Sequence, residues 1–397
     1  MDRLKTLSRQ RIEQTDFEFK RYLFSLIDWS NRLIAVKGAR GVGKTTLILQ
    51  YLREHFRNDE TALYISLDDI YFSANSLSDL ADTFYKGGGK ILFLDEVHKY
   101  RGWSREIKNI YDSYSALKIV FTSSSILQIH KGFADLSRRV VTYDLLGLSF
   151  REFLEINGAM KHVPLTLQEI IDLHKEIEND IARQIRPLEH FRNYLRYGYY
   201  PFFLENIDSY LNKLLSAINL TLEYDLPSAQ TIEFSNIFKL KKLLYFIATS
   251  APYKPNISKL AEQIQASRST IILYLDHLWN GKILNLINSV SGGTGYLTKP
   301  EKIYLQNTNL MYALAPETVD KGNLRETFFL NQVGHNHVVT LSDKADFLVN
   351  DKFTFEIGGK NKSRKQILDI QNSYIASDDI EYGFGNKIPL WLFGFLY

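Results

Sequence analysis

No cysteine occurs among the 397 residues. That excludes disulfides and thiolate-bound zinc and suits a reducing compartment, so a cytoplasmic location is expected. No apolar run approaches the roughly 20 residues of a membrane-spanning helix. The opening MDRLKTLSRQRIEQTDFEFKR is charged throughout rather than basic and then apolar, so a soluble protein with no membrane partner is expected. Net charge is scarce as well. Forty-eight basic against 45 acidic side chains leave +3, too little for affinity to nucleic acid as a whole-chain property, so any such contact needs a local surface. Internal repeats and low-complexity tracts are also lacking. What is present is a chain of 45% hydrophobic residues, rich in Tyr (24) and Phe (25), long enough for two or three domains. Aromatics in that number read as core.

Five strand-like runs, RLIAVKG, TALYISLDD, KILFLDE, LKIVFTSS and RVVTYDLL, alternate with helical segments. Runs apolar on both faces predict an α/β fold with a parallel sheet covered by helices. Between the first run and its helix stands Gly38-Ala39-Arg40-Gly41-Val42-Gly43-Lys44-Thr45, followed by Thr46. This spacing fits G-x-x-x-x-G-K-[ST], in which glycines let backbone N–H groups curl around phosphate oxygens. Lys44 is then the group for the β- and γ-phosphates of ATP, and Thr45 a ligand for Mg²⁺. The positive end of the following helix acts on the same anion.

The third run ends in Asp95-Glu96. At the carboxyl end of a buried strand Asp95 suits a magnesium ion held through water, and Glu96 suits polarisation of the attacking water. His98 completes D-E-x-H, which invites a helicase reading. No second nucleotide-binding core follows, so His98 reads as a loop histidine. Thr122, Ser123, Ser124 and Ser125 end the fourth run. Thr122 or Ser123 is expected to face the nucleotide, and Ser124 or Ser125 to cap the next helix. Asp135-Leu136-Ser137-Arg138-Arg139 precedes the fifth run. One of its arginines is expected to stabilise charge on the transferred phosphoryl, in cis or across an oligomer, and the two cannot be separated.

GARGVGKTT, FLDEVH, FTSSS and SRRVVTYDLLGLSFREFL, in this order, resemble prokaryotic AAA-superfamily ATPases that are followed by a conserved C-terminal domain of unknown function. The resemblance spans nearly the whole chain. It implies an AAA-like core with glutamate-catalysed ATP hydrolysis, and it supports Lys44, Thr45, Asp95 and Glu96 in those roles. In LRYGYYPFF, Gly198 and Pro201 resemble the Gly-x-x-Pro segment of a helical lid over the base. A plain turn between helices is the other reading.

The expected organisation is an AAA-like core over 1–150, a helical lid over 151–250, a winged helix over 251–308 and a C-terminal α+β domain over 309–397. Within the third part, ISKLAEQIQASRSTIILYLDHLWNGKILNLI reads as helix, turn, helix and wing. Leu260, Ile264, Ile271, Leu275 and Leu278 would form its core, and Arg268, Ser269 and Thr270 open the candidate recognition helix. Lys259, Arg268, Lys282, Lys299 and Lys302 stand against Glu262, Asp276 and Glu301, a weak basic surplus. DNA binding and packing against a protein partner both remain open. In the last part NLRETFFLNQV reads as helix, with strands in KADFLVNDKFTFEIGGKNKS, RKQILDIQNSYIA and IPLWLFGFLY. There Glu326, Asp346, Glu356 and Lys360 resemble the acid-acid-lysine set of restriction-endonuclease-like nucleases. Three residues separate Glu356 from Lys360 where active members have one, so a degenerate site and an ATP-hydrolysing switch are expected, with an active, ATP-regulated nuclease or a nucleotide-binding scaffold or regulator with little hydrolysis as the alternatives. Lys360, Lys362, Arg364 and Lys365 offer a basic segment to a phosphate backbone.

Overall fold

The computed structural model describes residues 1–15, 18–124, 136, 138–229, 234–250, 254–289 and 299–397. These fall into two compact units: residues 1–147 with 220–233, and residues 148–219 with 234–397. The stretch 151–250, expected as one lid, is divided between them.

In the first unit the five runs form β1 (Leu33–Gly38), β2 (Ala62–Ser66), β3 (Ile91–Asp95), β4 (Lys118–Ser124) and β5 (Val141–Asp144). They pair in parallel in the order β2-β3-β4-β1-β5. β1 and β3 are buried along their whole length, which is why their sequences are apolar without alternation. Parallel pairing in register, Val36 beside Thr122 and Leu94 beside Phe121, brings the carboxyl ends of β1, β3 and β4 to one edge. Ligand sites of open α/β sheets lie at that edge. The charged opening of the chain is a helix, Asp2–Gln14, seated on Leu4, Ser8 and Ile12. Burial of Leu4 and Ile12 contributes about 2 kcal/mol each, and the Ser8 hydroxyl accepts the Tyr64 N–H at 3.1 Å.

The second unit holds a small antiparallel pair, β6 (Leu284–Ile287) with β7 (Lys302–Leu305). It follows helices Ile257–Ile264 and Arg268–Asn280, whose Leu260, Ile264, Ile271, Leu275 and Leu278 are all buried. A second sheet comprises β8 (Val339–Leu341), β9 (Phe347–Val349), β10 (Phe353–Gly358), β11 (Ser373–Ser377) and β12 (Lys387–Pro389), in the order β12-β11-β10-β9-β8. Its pairs are antiparallel from β8 to β10 and parallel from β10 to β12. Helix Lys321–Val333 packs on it through Phe329, whose ring stacks on Phe347 at 5.6 Å. The run IPLWLFGFLY is a strand only at its start. Leu390–Phe395 is a fully buried 3₁₀ turn, a conformation that a continuous apolar run cannot distinguish from a strand by periodicity.

Candidate functional site

The phosphate loop is shaped by its glycines. Gly41 and Gly43 take φ of 83° and 96°, where a side chain would be strained, and Gly43 caps helix Lys44–His55. The free N–H groups of that helix's first turn, at Lys44, Thr45 and Thr46, therefore open at the head of the loop. The Lys44 ammonium is buried and donates to the carbonyls of Gly38 and Ala39, both at 3.0 Å. Burial pushes its pKa down, while Glu96 and Asp95 nearby work the other way. Val42 is fully buried, and its carbonyl accepts from Arg21 at 2.5 Å.

Asp95 leaves β3 into a ring of donors. Thr45 Oγ1 and Tyr64 Oη each donate to Oδ2 at 2.8 Å, and Thr122 Oγ1 donates to Oδ1. The same Thr122 hydroxyl accepts the Glu96 N–H at 3.0 Å. Thr122 is completely buried and ties β4 to the two acids. Glu96 sits in the left-handed region with φ of 54°, an unfavourable conformation for a non-glycine residue that the Thr122 bond helps to hold. Its carboxylate keeps 26% exposure.

His98 is no open loop residue. Its side chain is 4% exposed and stands 3.4 Å from Glu96 Oε2 and 3.6 Å from Asp225 Oδ1. Asp225 also holds Arg40 of the phosphate loop at 2.8 Å. Burial alone would push its carboxyl up, but His98 and Arg40 beside it bring the value below the ordinary one.

Several residues that hold the site together escaped sequence reasoning. Arg21, 6% exposed, spans the carbonyls of Val42, Leu146 and Gly147, the last two at 2.8 Å, and so fastens the loop to the exit of β5. Tyr64 and Asp225 were missed as well. None lies in a motif, and the only sequence signal was position, with Arg21 preceding β1 and Tyr64 inside a neighbouring strand.

The two arginines differ in their surroundings. Arg139 makes a two-pronged pair with Asp112, at 2.9 and 3.0 Å. Arg138 is exposed. Ser125, Asp135 and Ser137 lie outside the described residues. Gly198 and Pro201 belong to the second unit, and Gly198 has a packing duty there: a Cβ would come within 2.6 Å of Tyr194 and 2.7 Å of Phe153.

Thr45 and Asp95 fit a magnesium ion, because a hydroxyl and a carboxylate already meet at 2.8 Å beside the loop. Among the described residues no group of three or more His, Cys, Asp or Glu side chains could hold a metal alone. An ion here would complete its shell from phosphate and water.

In the second unit Glu326 accepts from Lys302 at 2.6 Å and Tyr304 at 2.5 Å, while Asp346 accepts the Ile357 N–H at 2.7 Å. Glu356 pairs with Lys362 rather than with Lys360, whose carbonyl accepts from Lys387. The turn after β10 carries Lys360 past the strand and returns Lys362 to it: a Cβ on Gly358 would meet the Lys362 stem at 2.6 Å. Among the described residues no helix is long and apolar enough to cross a membrane.

Comparison with known proteins agrees with the geometry of the first unit. Residues 30–154 match the family model of an AAA domain, and residues 188–321 match that of a domain of unknown function, DUF8612. The chain is similar to two uncharacterized proteins of Methanocaldococcus jannaschii. One is 27% identical, with 90% of this chain and 81% of the relative covered; the other is 22% identical, with 92% and 80% covered. Among solved structures, ORC1 of Aeropyrum pernix in complex with DNA aligns at a TM-score of 0.31 and 12% identity, covering 79% of this chain and 92% of that one. AMPPCP-bound DnaA of Aquifex aeolicus aligns at 0.29 and 14% identity, covering 70% and 89%. The segment 30–154 thus matches an AAA domain in sequence and carries a parallel P-loop sheet of the nucleotide-binding kind in structure.

Proposed function

We propose that the protein is an ATP-hydrolysing switch that acts on DNA or on a protein partner. The observation that carries this reading is the meeting of Thr45, Asp95 and Glu96 beside the loop that Lys44 closes. On nucleotide binding, Lys44 exchanges the carbonyls of Gly38 and Ala39 for β- and γ-phosphate oxygens, and the N–H groups of Gly41 to Thr46 cradle the rest. Thr45 and Asp95 would hold Mg²⁺, which would supply charge neutralisation at the phosphates. Glu96 takes a proton from the attacking water, and Arg138 stabilises the departing charge, in cis or from a neighbouring subunit. Steady-state ATP hydrolysis by the full chain and its Lys44→Ala variant, with and without duplex DNA, tests the reading. Turnover that needs Lys44 supports it; turnover indifferent to Lys44, or none, sinks it.

The DNA arm rests on reading helices Ile257–Ile264 and Arg268–Asn280 with the β6–β7 pair as a winged helix, a reading supported by exposed Arg268 at the start of the second helix. The Lys360–Lys365 segment adds a second basic surface. Stimulation of turnover by DNA, lost in Arg268→Ala, distinguishes this arm from a protein partner. For the C-terminal domain the reading is a nuclease-like fold without cleavage, supported by the neutralisation of Glu356 by Lys362 and of Glu326 by Lys302. Cleavage of linear or branched DNA with Mg²⁺ or Mn²⁺ would overturn it.

A further inference from the structure

Asp225 ends a π-helical turn, Thr221–Asp225, in a segment that belongs to the first unit although it lies beyond the matched residues 30–154. π turns inside helices are rare and cluster at functional sites. The Asp225 side chain is 2% exposed, and a carboxylate so buried is costly unless paired. Its pairing is specific. Arg40 reaches it from the phosphate loop at 2.8 Å, and His98 Nε2 stands at 3.6 Å. The same Nε2 is 3.4 Å from Glu96, and no directed hydrogen bond claims it. The Ser124 N–H points at His98 Nδ1 from 3.4 Å, an arrangement that suits the tautomer with its hydrogen on Nε2, which lies between the two carboxylates. One buried acid therefore holds both the loop arginine and the histidine that faces Glu96.

We propose that Asp225 and His98 are positioning residues for hydrolysis: Asp225 anchors His98 and Arg40 together, and His98 holds the Glu96 carboxylate in line for the attacking water. The proposal rests on the hydrolytic reading above. It assigns part of the site to a carboxylate outside the AAA-matched segment and gives His98 a duty other than that of a helicase motif. A purely structural ion pair would lower stability when broken and leave the chemical step alone.

Wild type, His98→Ala, His98→Gln, Asp225→Asn and the His98→Ala/Asp225→Asn double variant separate the two. The readouts are kcat and KM for Mg–ATP, Kd for a fluorescent ATP analogue, and the melting temperature of the nucleotide-free protein. His98→Ala is expected to lower kcat by about tenfold or more, with KM and Kd shifted by less than about threefold, and Asp225→Asn to lower kcat as much while also raising Kd, because it releases Arg40 of the loop. His98→Gln, which returns an amide donor near Nε2, recovers most of the loss. In kcat the double variant falls no further than the worse single one, because Asp225 reaches Glu96 through His98. In nucleotide-free protein, Arg40→Ala and Asp225→Asn lower the melting temperature less than additively, since they remove one ion pair. If His98→Ala and Asp225→Asn bind and turn over ATP like wild type, the positioning role is wrong and the hydrolytic reading stands. If wild type binds the analogue and never turns over ATP, both fall. Should Asp225→Asn not fold, the contrast between His98→Ala and His98→Gln decides: equal kcat in the two overturns the proposal.

Discussion

Thr122→Val tests the geometry of the two acids with almost no change in shape. The hydroxyl makes two bonds, donating to Asp95 and accepting from the Glu96 N–H. A hydrogen bond to a charged group contributes about 1.5–3 kcal/mol, and a buried N–H left without a partner costs about 1–3 kcal/mol. Asp95 keeps Thr45 and Tyr64 as donors, and valine fills the same volume, so the lower half of the summed range applies. The expected loss is about 3 kcal/mol. Thr122→Ser keeps the hydroxyl and removes one methyl group, for about 1 kcal/mol. Hydrogen exchange of the β3 and β4 amides reads the opening free energy of the first unit without assuming a single transition for the whole chain. Function should follow. Glu96 sits at φ of 54°, and without its anchor the carboxylate drifts, a displacement that costs about 10²-fold in turnover when it reaches an ångström. Equal exchange and equal kcat for the valine and serine variants would refute the assignment of Thr122 as the joint between the strands and the acids.

Other outcomes follow from the same geometry. Glu96→Gln should keep nucleotide bound while turnover falls by about 10²-fold or more, and Lys44→Ala should lose the nucleotide; a titration with a fluorescent ATP analogue beside a turnover assay checks both. Arg138→Ala should lower kcat without moving the melting temperature. Arg139→Ala, which breaks a half-exposed pair with Asp112, should cost no more than about 1 kcal/mol and leave kcat alone. Gly198→Ala should destabilise the second unit by about 1–3 kcal/mol through overpacking against Tyr194 and Phe153. A shift in nucleotide Kd in that variant would instead favour the lid reading. Burial, with Glu326 and Glu356 nearby, pushes the Asp346 carboxyl from 3.8 up to about 6. Being raised in the folded state, it favours folding below its unfolded value and loses that contribution as pH rises through 6. Asp346→Asn should therefore flatten the stability profile between pH 4 and 7 and stabilise the second unit near pH 7.5 by about 2 kcal/mol, read by hydrogen exchange.

Local signals were legible wherever the physics is local. All five strands of the first sheet, the phosphate loop and the Asp95-Glu96 exit follow from apolar runs, glycines and spacing, because a buried parallel strand and a curled loop restrict residue types over a few positions. The helix Asp2–Gln14 was hidden, since it buries only Leu4, Ser8 and Ile12 and its charges gave the stretch a solvated look. Where a side chain spends its hydrogen bonds was hidden too. Thr122 and Ser123 were equivalent on paper until pairing with β3 turned Thr122 toward the acids.

The amino-acid sequence by itself determined that a phosphate-binding P-loop opens a parallel α/β sheet and that two acids stand at the end of a neighbouring strand. Tertiary structure alone decided which distant charged groups pair. Asp225 lies 185 residues from Arg40, Arg139 meets Asp112, and Lys362 rather than Lys360 stands beside Glu356. The reason is physical: backbone periodicity is written in neighbouring residues, whereas the pairing of buried charges depends on which elements the folded chain brings within a few ångströms of one another.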